Sequence, residues 1–271
     1  MLGLERPAWG FSPWLPVPHE LDISAIATKE EFQEFWSGKR RGELLGKVEI
    51  TRYLLGVNFG INDYLAFDAF GGYVRSHYDP GRDPVLSGRD DTYLGLRWRM
   101  IDELIHNFPT VTLRVGGTIR GNYEPSSRGN PHGPRERADS LEADILVGKL
   151  LPKQFAISAH AGYRIQQNPV PSDRFVGVSL SQNITEHWSW NISWEYTESV
   201  TGDDLNSPSF TGSELGFRGL RDVSNIAEAR LGYTFNTKGT LSASVAQTFD
   251  GRNSPDSRIF SIAFTQPFFL P

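Results

Sequence analysis

The chain has 271 residues, of which 38% are hydrophobic, and a formal net charge of −5. It has no cysteine, which excludes disulfides and thiolate chemistry. The longest basic run is Lys39-Arg40-Arg41, which is too short to indicate nucleic-acid binding. The sequence has no apolar run of about 18 residues, so it predicts no transmembrane helix.

The first segment, residues 1–17, is rich in aromatic residues and proline. It lacks the basic start and apolar stretch of a secretory leader, so for an exported protein we expect a leader that has been removed. Residues 1–17, with the stretch AWGFSPWLP, predict either a periplasmic plug that enters a barrel or a contact for a partner. The remainder, 18–271, predicts a single β-barrel.

Strands are predicted by a period of two, which is clearest in HWSWNISWEYTES (187–199). Every second residue there is aromatic or aliphatic, and the residues between are polar. The same pattern predicts about twelve strands. The first lies within 18–37, and the others span about 46–60, 64–76, 91–100, 110–121, 141–150, 155–166, 174–184, 187–198, 226–235, 239–249 and 258–266. Helical periodicity occurs only at Thr28–Trp36, and it is weak there.

The connections alternate between short turns and long polar loops, with Ile101–Asn107 as an intermediate case. Such alternation predicts neighbouring strands that run up and down, with all long loops at one end. An even strand number, short periplasmic turns and long extracellular loops are typical of antiparallel transmembrane barrels of the bacterial outer membrane. Closure requires 257–270 to pair with the first strand, because unpaired backbone groups are costly in lipid.

A soluble sandwich or a lipocalin-like barrel is the competing interpretation, since its strands also alternate. Predicted strands of ten or more residues favour the membrane, because soluble strands average about five or six. Aromatic residues near strand ends favour it too; they are Phe155, Tyr163, Phe175, Trp188, Tyr196, Tyr233, Phe235 and Phe249. The residues expected to face lipid are Leu113, Ile157, Trp188, Trp190, Ile192, Trp194 and Tyr196.

Four stretches resemble one known family: YLLGVNFGINDYLAFDAFGGYV, DDTYLGLRWRMID, FPTVTLRVGG and SLEADILVGKLLPKQFAISAHAGYRI. They are similar to the transporters named for the meta-pathway of phenol degradation. That resemblance covers most of 44–266 and implies a porin-like outer-membrane barrel that passes small, often hydrophobic molecules. It implies no catalytic residues. Residues 1–40 and 199–224 have no counterpart in it.

Charged residues alternate with the apolar ones, so a barrel would turn them toward its lumen. The residues expected to line the lumen are Arg97, Arg99, Arg114, Arg120, Glu142, Asp144, His160, Arg164, Glu195, Glu228 and Arg230. Arg114 and Arg120 lie on the strand before Glu142 and Asp144, which predicts cross-strand ion pairs. Either a salt-bridged ladder fills a narrow interior, or a polar conduit of mixed charge remains.

Other chemistry has weak support. None of the six histidines lies in the His-x-Ser-Asn-Gly context of the outer-membrane phospholipase barrel. The loop acids Asp83, Asp90, Asp91, Asp203 and Asp204 match no dedicated calcium loop, and solvation explains them. The arginine-rich stretch 128–139 could contact lipopolysaccharide phosphates or be a solvated loop. We therefore expect no metal and no cofactor.

The sequence thus predicts passive passage of a small, hydrophobic or aromatic solute across the bacterial outer membrane, without enzymatic activity. The alternative is a non-conducting barrel that anchors or seals an envelope complex through residues 1–40 or the long loops. A lipid-acting enzyme is the weakest alternative. The expected partners are outer-membrane lipid and lipopolysaccharide, with a possible envelope protein and no nucleic acid.

Overall fold

The computed structural model describes residues 12–79, 85–126, 132–134 and 137–271. In these ranges one antiparallel sheet closes on itself, because β1 pairs with β13 and β2 pairs with β3. The strands are β1 (Glu20–Ser37), β2 (Arg40–Gly60), β3 (Leu65–Tyr78), β4 (Leu86–Arg89), β5 (Thr92–Ile101), β6 (Thr110–Ile119), β7 (Ser140–Leu151), β8 (Phe155–Gln166), β9 (Asp173–Asn183), β10 (Trp188–Ser199), β11 (Val223–Thr234), β12 (Thr240–Arg252) and β13 (Arg258–Phe269).

The barrel has twelve wall positions, although thirteen strands are described. The short β4 pairs with one end of β3 and β5 pairs with the other end, so β4 and β5 share one position. All pairings between neighbouring strands are antiparallel, and every remaining position follows chain order. The predicted fold class, an all-β up-and-down barrel of about twelve strands, is therefore confirmed.

The apolar face of the sheet points outward and has no second layer against it in the described residues. Ile157 is 48% exposed, Ile192 is 55% exposed and Ile262 is 61% exposed. A sandwich would bury this face against a second sheet. A continuous exposed apolar surface of this kind marks contact with lipid or another apolar partner. The soluble-sandwich interpretation is therefore wrong.

The two ends of the barrel differ as the connections predict. Glu20 pairs with Phe269, so the first strand begins and the last strand ends at the end with short turns. One of these turns contains helix α1 (Glu103–His106), which the Asp102 side chain caps. At the other end, the connection 200–222 contains helix α2 (Glu214–Arg218). Neither helix in the described ranges is long and apolar enough to cross a membrane.

The first strand lies within 18–37 as predicted, so the weak helical periodicity at Thr28–Trp36 corresponds to no helix. Two local expectations are wrong. β2 begins at Arg40, because Gly38 (φ +59°) takes the left-handed conformation that a tight β1–β2 turn requires. β4 lies within the predicted loop 77–90. These differences extend the β1–β2 hairpin and lengthen the wall at the long-loop end.

Candidate functional site: the barrel interior

Residues 12–16, here called the N-terminal insert, lie inside the end of the barrel that has short turns. Arg97 Nη1 donates to the backbone oxygens of Ser12 (3.0 Å) and Trp14 (3.2 Å). The Thr112 hydroxyl donates to the Pro13 oxygen at 2.6 Å, and the Trp14 indole donates to Glu103 Oε1 at 3.0 Å. The insert therefore contacts β5, β6 and α1. Residues 1–11 of the predicted segment 1–17 lie outside the described residues.

Arg97 organises this end of the interior and is 1% exposed. Its Nε lies 2.8 Å from Asp68 Oδ2, and its Nη2 lies 2.9 Å from Asp68 Oδ1. Nη2 also donates to Asn58 Oδ1 at 2.7 Å. All three guanidinium nitrogens therefore have acceptors, which is the condition under which a charge can be buried without a large penalty.

A ladder of ion pairs continues from strand to strand across the interior. Arg114 on β6 forms a two-point contact with Asp144 on β7, and its Nη2 lies 3.2 Å from Glu142 Oε1. Arg164 on β8 donates to Glu142 Oε2 at 2.8 Å and lies 3.7 Å from Asp173 on β9. Cations and anions alternate along this ladder, so the charges compensate each other away from solvent.

Two aromatic rings occupy space that inward-facing glycines leave free. A Cβ atom added at Gly116 would lie 2.2 Å from Tyr93 Oη, and one added at Gly162 would lie 2.6 Å from Phe175 Cζ. The Arg114 guanidinium carbon lies 5.7 Å from the centre of the Tyr93 ring, within cation–π range. Phe175 is one of the strand-end aromatic residues expected at the membrane interface, but it is buried inside the barrel. It lies two residues before Gly177 on β9, so both face inward.

The connection between β6 and β7 enters the interior from the end with long loops. The Ser76 hydroxyl donates to the His132 oxygen at 2.6 Å, and Arg52 Nη2 donates to the Pro134 oxygen at 3.0 Å. The His132 ring stacks on Tyr78 with centroids 5.7 Å apart. Residues 128–131 and 135–136 of the arginine-rich stretch lie outside the described residues. Within the stretch, His132 and Pro134 therefore lie against the inner wall rather than in solvent.

The inner wall formed by β8 to β13 and β1 carries mostly short polar side chains. They include Ser24, Thr28, Ser158, Ser179, Ser181, Asn191, Ser193, Ser242, Ser244, Ser261 and Thr265. Hydroxyls bond across strands, as in Ser24–Thr265 (2.7 Å) and Ser158–Ser179 (2.8 Å). Glu195, Glu228 and Arg230 lie on the same wall, where Arg230 donates to Glu228 at 2.7 Å. The interior thus has one densely packed side and one side of short hydroxyl groups.

Three more residues expected in the lumen are Arg99, His160 and Arg120. Arg99 contacts the Asp63 oxygen and Asp102 at the short-turn end. His160 packs 6.0 Å from Phe175. Arg120 does not join the ladder: β6 ends at Ile119, so strand parity no longer applies, and the half-exposed Arg120 lies beside Asp139 and Gln167.

The residues expected to face lipid all lie on the outer surface. Trp188 is 43% exposed, while Leu113, Trp190, Trp194 and Tyr196 are partly covered by neighbours. Near the short-turn end, Trp188 packs edge-on against Tyr233 with centroids 5.0 Å apart. The Trp190 indole donates to Gln182 at 3.1 Å. The outer surface therefore carries an aromatic cluster at this end.

Some residues and contacts of the interior are not among those expected from the sequence. Asn58 and Thr112 share the inward parity and could have been identified by it. The backbone oxygens of the N-terminal insert carry no sequence signal at all. Asp68 has the inward parity, but its pairing with Arg97 depends on the register between β3 and β5.

The loop acids have protein partners. Asp91 accepts hydrogen bonds from Gly121 N and the Tyr123 hydroxyl. Arg252 donates to Asp204 Oδ1 at 2.7 Å, and this bond holds the pKa of the Asp204 carboxyl below its ordinary value. Asp83 lies outside the described residues. Within the described ranges, no group of three or more His, Cys, Asp or Glu side chains could hold a metal ion.

The fold is shared with solved outer-membrane barrels. The COG4313 outer membrane channel from Pseudomonas putida F1 superimposes with a TM-score of 0.72 at 13% identity, covering 94% of this chain and 97% of the other. The translocator domain of autotransporter NalP from Neisseria meningitidis gives 0.56 at 12% identity, over 92% of this chain and 88% of the other. The KdgM porin in complex with disordered oligogalacturonate gives 0.54 at 6% identity, over 91% and 99%.

No protein-family model matches the chain, and no curated protein matches it in sequence. The resemblance to the phenol meta-pathway transporters therefore stays a prediction. At these identities the structural neighbours establish the fold alone: a closed outer-membrane type of β-barrel.

Proposed function

We propose that this protein is an outer-membrane channel that gives passive passage to a small polar solute. The observation that supports the proposal is the asymmetry of the interior. Ion pairs and aromatic rings fill the side formed by β3 to β7 and extend to Arg164 on β8 and Phe175 on β9, whereas short hydroxyl side chains cover most of the opposite wall. The solute path in this proposal runs along the hydroxyl wall.

The chemistry of that wall favours a polar solute over the hydrophobic or aromatic one implied by the family resemblance. A solute entering a narrow pore exchanges bulk water for the groups that line it. Serine and threonine hydroxyls both donate and accept hydrogen bonds, so they can replace lost water. They offer no apolar surface that would favour a hydrocarbon. Glu195, Glu228 and Arg230 supply charges of both signs, which favours a small neutral or zwitterionic solute.

Ion conductance in planar bilayers tests this path with a pair of adjacent residues. Ser193 lies on the inner wall, opposite Ser179 and Glu228, and Ile192 lies on the outer surface. We expect Ser193→Trp to lower single-channel conductance because the indole narrows the path. Ile192→Trp is the matched control and leaves conductance unchanged. Equal conductance of the two variants would contradict the proposed path.

A non-conducting barrel that anchors or seals an envelope complex is the second candidate. It is favoured by the N-terminal insert at one end and by His132 and Pro134 at the other, since both occupy the interior. Deletion of residues 2–16 separates the two candidates. If the insert restricts a channel, its deletion raises the conductance. If the barrel seals a complex, the deletion variant stays non-conducting and loses a co-purifying envelope partner.

A further inference from the structure

A groove of ≈ 470 Å³ crosses the outer surface of the barrel at the end with long loops, where β5, β6, β7 and β8 are neighbours. Four apolar side chains in its lining are widely exposed: Leu94 is 42% exposed, Ile119 51%, Leu141 68% and Ile165 60%. The polar lining residues are Thr118, Asp139, Ser140, Gln166 and Gln167. Gly117 lies among them and contributes no side chain. In the proposed membrane orientation, this groove lies in the outer leaflet.

Cationic side chains border the groove on the side of the long loops. Arg120 directly follows the groove residue Ile119, and its Nη1 donates to Gln167 Oε1 at 3.3 Å. Arg89 Nη2 donates to the Arg120 backbone oxygen at 3.0 Å, so the two arginines are neighbours. Asp139 is the nearby acid, and its Oδ2 lies 3.9 Å from Arg120 Nε. We call Arg89, Arg120 and Gln167 the groove margin.

The groove margin carries an excess of positive charge, whereas the cations at two other places on the rim are paired with acids. Lys29 and Lys47 are paired with Glu31 and Glu49. Arg174 and Arg221 share Glu198. By contrast, no carboxylate in the described ranges forms an ion pair with the exposed Arg89, nor with the exposed Arg75 on the neighbouring strand β3. At the groove margin, the two guanidinium groups of Arg89 and Arg120 therefore have one nearby acid, Asp139, between them.

We infer that the groove and its margin bind one phosphorylated, acylated glycolipid of the outer leaflet, the lipid A part of lipopolysaccharide. Arginine presents paired N–H donors that match phosphate oxygens. An acyl chain below the phosphate fits the apolar lining, and the polar rim above it lies at the headgroup level. Both parts of the ligand therefore have a counterpart in the site. This inference rests on the membrane location proposed above.

Native mass spectrometry of the detergent-refolded full chain with diphosphorylated, hexa-acylated lipid A tests the site. We expect one bound lipid on the wild type. The double variant Arg89→Ala/Arg120→Ala should lose affinity roughly 30-fold, the effect of two surface cations at about 1 kcal/mol each. Arg258→Ala is the matched control, because Arg258 is an exposed rim cation on β13 without an apolar groove beside it.

The apolar half of the site is tested separately. Ile165→Trp fills the groove and should weaken lipid A binding, whereas Ile262→Trp, on the far outer wall, should not. Heat-dependent migration in gels verifies that each variant folds. Lipid A that binds all variants equally, or phosphatidylethanolamine that binds as tightly, would overturn the inference. Unchanged bilayer conductance of Arg89→Ala/Arg120→Ala would show that loss of the lipid site is separate from the channel proposal.

Discussion

Arg114 and Asp144 form a two-point ion pair whose side chains are both fully withdrawn from solvent: Nε lies 2.8 Å from Oδ1, and Nη2 lies 2.9 Å from Oδ2. The pair joins β6 to β7 at the centre of the interior. Glu142 also contacts Arg114 and is shared with Arg164 on β8. Removal of the Arg114 cation takes the two-point partner away from the buried Asp144 carboxylate.

We expect Arg114→Met to destabilise the barrel by about 3–5 kcal/mol, the usual cost of an uncompensated buried charge. Urea unfolding in lipid vesicles, followed by tryptophan fluorescence, measures the change. Arg120→Met is the control, because its half-exposed side chain should contribute no more than about 1 kcal/mol. Equal stability of the two variants would show that the ladder does not support the fold.

Arg97 is expected to hold the N-terminal insert in place through its bonds to the Ser12 and Trp14 oxygens. Because the chain lacks cysteine, Ser12→Cys gives a single reporter for a water-soluble thiol reagent. Arg97→Met should speed its labelling roughly tenfold or more, since hydrogen bonds from charged donors contribute about 1.5–3 kcal/mol each. Arg99→Met, on the same strand, should have little effect. Fast labelling of Ser12→Cys while Arg97 is still present would mean that the insert is not bound inside the barrel.

Gly116 is expected to be necessary because the Tyr93 ring occupies the space of its absent side chain. Gly116→Val should cost about 1–3 kcal/mol, as overpacking does. The same substitution should cost less in a Tyr93→Ala background, where the ring is gone. The coupling between the two sites in a double-mutant cycle measures this relationship. Strictly additive costs would rule it out.

The connection 200–222 should loosen in acid, because Arg252 and Asn253 bind the Asp204 carboxylate and lower its pKa. A carboxyl whose pKa is lowered on folding stabilises the folded state above its ordinary pKa, near about 4. That contribution disappears as the pH falls through the lowered value. Hydrogen exchange of 203–221, corrected for intrinsic rates, should stay constant from neutral pH to about pH 5 and rise below about pH 4. Asp204→Asn should be loose and independent of pH, and the same acid response in that variant would contradict the assignment.

The sequence predicts the wall of this barrel better than its contents. Strand parity is a local property, so Ile157 and Ile192 could be assigned to the outer face and Arg97 and Arg114 to the inner face without any structure. Loop lengths then predict which end carries the tight turns. Parity fails where a strand stops, which is why Arg120, one residue beyond β6, lies at the rim.

The arrangement inside the barrel depends on contacts between distant parts of the chain. The hydrogen bond from Thr112 to Pro13 joins residues 99 positions apart and uses a backbone oxygen that has no sequence signature. The inward turn of His132 depends equally on Ser76, on a strand far away in sequence. Phe175 is aromatic, like residues at a membrane interface, but it falls on the alternate positions of β9 that face the interior. Its place in the alternation, not its aromatic character, decides where it lies. Registers and loop paths of this kind follow from packing, not from local pattern.

Lipid covers one face of each strand, and the polar interior lies behind the other face. Spin labels at Ile192→Cys and Ser193→Cys, in vesicles, test this arrangement with neighbouring residues in a chain that has no other cysteine. The label at 192 should be accessible to oxygen dissolved in lipid, and the label at 193 should be shielded from it. Equal accessibility, or the reverse order, would contradict the account.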